Sequence, residues 1–165
     1  MSLTTDTIIT TPNNQAVSIQ NIQIGDTIET FNYSPQDGLS KGSPLKVEFS
    51  NVTSSAPVSQ HIITITLENN TRLISSPDQK ILTEGGKLKK ANEITLLDLL
   101  FLADGSTTKI ASIFIEHFKG ITHNISTSLT PTTSLTHGNL FSANGMVVAD
   151  YVLNIGESGY GAPLG

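Results

Sequence analysis

The strongest constraint on the fold is that the chain repeats itself. VSIQNIQIGDTI (17–28) lies over KKANEITLLDLL (89–100) without a gap, which sets Ile19 on Ala91, Ile22 on Ile94, Ile24 on Leu96, Asp26 on Asp98 and Ile28 on Leu100. Upstream of each copy a second pair agrees, TIITTPNN (7–14) over RLISSPDQ (72–79). The first pair is offset by 72 residues and the second by 65, so each half is expected to run strand, Pro turn, strand, Asp turn, strand, with a longer turn in the second half. Two such halves imply an internal two-fold. A length of 165 residues suits one hydrophobic core rather than two.

Periodicity sets the element type. Apolar residues alternate with polar ones at Val17, Ile19, Ile22 and Ile24, in HIITITL (61–67), in KIASIF (109–114) and in FSANGMVVADY (141–151), which is the strand period. Turn residues punctuate these runs at Pro35-Gln36-Asp37-Gly38, Glu84-Gly85-Gly86, Ala103-Asp104-Gly105 and Asn144-Gly145. An all-β fold follows. KLKKANEITLLDLLFL (87–102) contains good helix formers, but its match to 17–28 assigns it to strands. Residues 32–60, rich in Ser, Pro and Gly, are expected to be loop apart from one strand at Leu45 to Phe49. The Gly-rich end, 156–165, reads as a tail or linker.

Composition narrows the function. Only 14% of residues are charged, against roughly 25% in an average soluble domain. The nine Lys and Arg residues are scattered on a chain of net charge -5, so no stripe tracks a phosphate backbone and nucleic-acid binding is not expected. The absence of cysteine removes disulfides, thiolate metal sites and thiol nucleophiles. His61, His117, His123 and His137 lack metal-site spacing, so no metal or cofactor is expected. No apolar run long enough to span a bilayer and no signal peptide is found. No membrane partner is expected, and the chain reads as a monomer.

Four blocks, in order, resemble the Hint (Hedgehog/intein) autoprocessing domains over residues 2 to about 151. Ser2-Leu3-Thr4-Thr5-Asp6-Thr7 is similar to the family's opening of nucleophile, apolar residue, two free positions, small or acidic residue and Thr. Ile19, Ile22, Gly25 and Asp26 match an Ile-x-x-Ile-x-x-Gly-Asp run. Ser76-Pro77-Asp78-Gln79, then Ala91, Ile94, Leu97 and Asp98, stand where the family has Thr-x-x-His and Ala-x-x-Leu-x-x-Gly-Asp. The last block, His137, Asn139, Phe141 and Asn144-Gly145, ends as Ala149-Asp150-Tyr151 where inteins end in His-Asn.

The resemblance implies an all-β horseshoe with pseudo-two-fold symmetry over residues 1–155, and an acyl shift at the domain's own first residue. Ser2 would attack the preceding carbonyl and Ser76 would hold the scissile peptide. The position of Gln79 would deliver a proton to the departing amine, and His137 would assist the second step. The substrate is then the chain's own flanking polypeptide.

Two positions depart from the pattern. Glutamine does not titrate near neutral pH, and Asp150 followed by Tyr151 offers neither the cyclising amide nor the hydroxyl or thiol acceptor of a splicing junction. The expectation is slow N-terminal cleavage without splicing. The alternative is an inactive Hint-like β module serving as spacer or binding domain of a larger protein. Because Ser2 follows Met1 directly, release of a single methionine would serve no purpose, and the chain reads as a domain cut from a longer precursor or as one in which a Cys was changed to Ser to prevent cleavage. Asp26 and Asp98 read as turn caps, and His61, His117 and His123 as structural or surface residues.

Overall fold

The structure is a computed structural model that describes residues 2–52 and 58–156; the expected Gly-rich tail falls almost wholly outside the described residues. Along the chain the strands are β1 (Leu3–Thr4), β2 (Ile8–Thr11), β3 (Gln15–Ser18), β4 (Thr27–Ile28), β5 (Phe31–Ser34), β6 (Gly38–Lys41), β7 (Leu45–Lys46), β8 (Phe49–Val52), β9 (Val58–Leu67) and β10 (Arg72–Ser75). They continue as β11 (Lys80–Thr83), β12 (Lys87–Lys90), β13 (Leu99–Phe101), β14 (Thr107–Gly120), β15 (Thr122–Ser126), β16 (Leu140–Ala143) and β17 (Met146–Ala149), and the one α-helix among the described residues, α1 (Tyr151–Ile155), follows. All strand pairs are antiparallel, and all but β4 and β7 join one continuous sheet. The core draws on both halves, with Ile9, Ile28, Ile65, Leu73, Ile81 and Leu100 fully enclosed.

The repeat is present, with one offset throughout. The strand pair β2–β3 corresponds to β11–β12, and β4 to β13, at 72 residues. The hydrogen bonds repeat with it. Thr7 N donates to Thr4 O at 3.0 Å, as Gln79 N does to Ser76 O at 3.2 Å. Ile19 N donates to Thr7 O at 2.8 Å, as Ala91 N does to Gln79 O at 2.8 Å. The match of TIITTPNN to RLISSPDQ is therefore not the structural one. Segment 8–11 pairs with β3 and β16, whereas segment 72–75 pairs with β1 and β9. The true mates of Thr4 to Thr7 are Ser76 to Gln79, and the second half has no longer turn.

Asp26 and Asp98 close equivalent turns, accepting from Gln23 N and Thr95 N at 2.8 Å each. Burial opposes ionisation of Asp98, but the Lys89 ammonium at 2.7 Å and the Thr95 amide outweigh it and hold the carboxyl below its ordinary range.

Residues 32–60, expected to be loop apart from a strand at Leu45 to Phe49, contain most of β5, all of β6, β7 and β8, and the start of β9, with the expected strand divided between β7 and β8. FNYS and GLSK form the β5–β6 hairpin around Pro35-Gln36-Asp37, where the Ser34 hydroxyl accepts from Asp37 N at 3.1 Å; β7 and β8 follow. Their polar composition hid the strand period. Two expected strand segments are short 3-10 turns instead, Ile19–Asn21 and Ala91–Glu93. The long β9–β14 ribbon stays in register from Leu67 with Ile110 to Val58 with Gly120, with one bulge at Ala111. No helix among the described residues is long and apolar enough to cross a membrane.

Candidate functional site

Strand β1 is two residues long and lies between β10 and β15. Leu3 faces Ser75 on one side and His123 on the other, and its side chain is buried in the core. Alternation then turns Ser2 and Thr4 to the opposite face. Thr4 pairs with Thr122, and the same register carried one step back sets Ser2 against Asn124. Ser2, Thr4, Ser76, Thr122 and Asn124 are all buried. The start of the described chain thus lies in a polar cradle enclosed by two strands.

Contact between Ser2 and Ser76 is direct. Ser76 N donates to Ser2 O at 2.9 Å, as in an ordinary ladder. The return bond is made by a side chain, since Ser2 N donates to Ser76 Oγ at 2.8 Å. Ser76 Oγ in turn donates to Asp78 Oδ1 at 2.8 Å, with Ser2 O a longer alternative at 3.4 Å. The chain of donors therefore runs from the Ser2 amide through the hydroxyl to the carboxylate. This polarity grips the amide, but it supplies no proton to that nitrogen unless the hydroxyl reverses.

Gln79 is on the same loop and buried, yet its amide is committed elsewhere. Nε2 donates to Ala149 O at 2.9 Å and to Lys80 O at 3.1 Å. It ties the Ser76 loop to the end of β17, one residue before Asp150.

Asp150 forms a second polar cluster. Its Oδ2 accepts from Asn139 Nδ2 at 2.9 Å, Ser126 Oγ at 3.1 Å and Thr127 N at 3.2 Å, and its Oδ1 caps α1 by accepting from Leu153 N at 3.0 Å. Burial pushes its carboxyl up to about 6, against the pull of these donors. The Asp150 carbonyl accepts from Asn154 N at 2.9 Å as the first bond of the helix. Ser126 and Asn124 share a face of β15 two residues apart, so one strand links the two clusters over roughly 7 Å.

His137 is not drawn into either cluster. It is exposed and lines a shallow cleft with Thr30, Asn32, Ser43 and Leu45. Its neighbour Gly138 contributes only a carbonyl, which accepts from Thr127 Oγ1 at 2.7 Å. Among the described residues no group of three or more His, Cys, Asp or Glu side chains could hold a metal.

Sequence reasoning missed Asn124, Ser126 and Asn154. Asn124 and Ser126 were visible only as an Asn-Ile-Ser triplet, and nothing local announces that β15 lies beside the chain's start. Asn154 lies beyond the last matching block, in a helix that the strand pattern did not contain.

No family model matches the chain, and no curated protein matches it by sequence. Solved structures do match in fold. The DnaB intein from Synechocystis sp. PCC 6803 superposes with a TM-score of 0.68 at 17% identity, over 90% of this chain and 97% of the intein. The bacterial intein-like domain from Clostridium thermocellum gives 0.70 at 13% identity, over 90% and 97%. The gp41-1 intein gives 0.64 at 20% identity, over 90% and 98%. The chain therefore has the intein-like Hint fold, all-β and duplicated.

Proposed function

We propose that this is a self-processing domain acting on the polypeptide upstream of Ser2, by an N-to-O acyl shift that ends in cleavage rather than splicing. The carrying observation is the Ser2 amide nitrogen held 2.8 Å from the buried Ser76 hydroxyl. In the shift, Ser2 Oγ bonds to the carbonyl carbon of the preceding residue and the bond from that carbon to Ser2 N breaks. The hydroxyl proton ends on the freed amine, and water then opens the ester. Binding the nitrogen that must leave, in a site closed to solvent, fits this chemistry.

The downstream end supports retention of whatever follows. A cyclising terminal residue must turn its side chain onto its own carbonyl. Here the Asp150 carboxylate caps α1, and its carbonyl belongs to the helix. The donor polarity at Ser76 and the engagement of Gln79 with Ala149 both favour a slow reaction.

The test is a chain extended upstream of Ser2, incubated with hydroxylamine and followed by intact mass. Release of the upstream segment as a hydroxamate is expected over days, and Ser2→Ala should abolish it. If neither the chain with Ser2 nor a Ser2→Cys variant releases the segment, the domain is an inert β module and the self-processing reading fails.

A further inference from the structure

We propose that α1 is a latch on the Ser2 site: Asn154 is a positioning residue for the Ser76 to Gln79 loop and couples the polypeptide downstream of Asp150 to the reaction at Ser2. The effect on reaction rate rests on the function proposed above; the mechanical coupling does not.

Asn154 is buried, and both ends of its amide are used on backbone of that loop. Nδ2 donates to Asp78 O at 2.9 Å and Oδ1 accepts from Lys80 N at 2.7 Å. These two groups flank Gln79, so a single planar side chain fixes the spacing and orientation of the peptides on either side of it. Ser76 and Asp78, which hold the Ser2 amide, lie at the head of the same loop. A primary amide offers a donor and an acceptor at once, which a carboxylate does not.

The latch depends on α1 being docked. A helix of five residues has no stability of its own. It is held by the Asp150 cap, by the enclosed Val152 and Leu153, by Thr132 N donating to Val152 O at 3.2 Å, and by Tyr151 stacked on Phe49 with centroids 5.0 Å apart. In a splicing domain the residues after the terminal block are cargo. Here they are part of the structure that grips the first residue.

Two measurements test this on the upstream-extended chain. Amide hydrogen exchange in Asn154→Ala should quicken at least tenfold at Lys80 and severalfold at Ser2, with the β9–β14 ribbon unchanged. In a Ser2→Cys, Gln79→His background, Asn154→Ala should slow segment release by about 10- to 100-fold. Ile110→Val, a core change outside the loop that lowers Tm, should leave the rate of the folded protein unchanged. If Asn154→Ala does not fold, Asn154→Asp keeps the acceptor for Lys80 N but loses the donor to Asp78 O. It should preserve protection at Lys80 while still slowing release. Unchanged exchange at Lys80 and Ser2 in folded Asn154→Ala would overturn the latch. So would equal slowing by Ile110→Val at matched loss of Tm. If the Ser2→Cys, Gln79→His chain itself releases nothing, the self-processing reading falls and hydrogen exchange alone decides the latch.

Discussion

Gln79→His in an upstream-extended chain carrying Ser2→Cys is expected to speed release of the upstream segment by about 10²- to 10⁴-fold over Ser2→Cys alone, the usual worth of one positioned acid or base. The thiol is in both chains, so its greater nucleophilicity cancels. The imidazole adds a group that carries a proton near neutral pH, which the amide cannot do. The loop backbone is fixed independently of the side chain, by Gln79 N to Ser76 O and Ala91 N to Gln79 O, so the ring enters a prepared position. The loss is the two side-chain amide bonds to Ala149 O and Lys80 O, a cost of about 1 kcal/mol each. Timed intact mass at pH 7 measures the rate. A folded His variant that releases no faster would show that proton delivery at this position is not what limits the reaction.

Asp150→Ala should cost about 3–5 kcal/mol of folding stability, because it takes the acceptor from the buried donors of Asn139, Ser126 and Leu153 and from the half-buried amide of Thr127, and removes the cap of α1. The native carboxyl adds a pH signature. Its folded value of about 6 lies above the ordinary 3.8, so between those values the folded state holds more proton than the unfolded. Stability from this group is therefore greatest below about pH 4, falls as pH rises towards 6 and is flat above. The full change is about 3 kcal/mol. Asp150→Asn removes the titration while keeping one acceptor, so the stability difference between wild type and Asp150→Asn isolates it from acid loss at groups such as Asp98, whose value is shifted the other way. Denaturant midpoints at pH 4.5 and 7 measure it. A difference that does not move with pH would mean that Asp150 is ionised throughout.

Much of this architecture is legible before any coordinates. The gapless match of 17–28 to 89–100 fixed the duplication and kept residues 87–102 out of a helix, and Asn144-Gly145 fixed the β16–β17 hairpin, with φ of 51° and 84° at the turn. The earlier match failed because two Pro-terminated strands rich in Ile, Thr and Ser look alike whichever neighbours they pair with. Register partners are tertiary information that composition does not carry. Burial was also hidden. Ile24 and Leu96 occupy equivalent places in the repeat, yet they are 66% and 58% exposed. They sit past the 3-10 turns, where the alternation has already broken. At the site, Ser2 and Ser76 could be named from their blocks. Asn124 and Asn154 could not, because one is placed by β15 and the other by a helix too short to leave a periodic trace.

The grip of the later loop on the first residue is most directly tested by Ser76→Ala in the upstream-extended, Ser2→Cys chain, with release followed by mass and folding verified by hydrogen exchange of β9 and β14. Removing the hydroxyl that holds the departing nitrogen is expected to slow release by about 10²-fold while the fold persists. Release at an undiminished rate from the folded variant would contradict the assignment of Ser76, and with it the reading of this loop as the site of reaction.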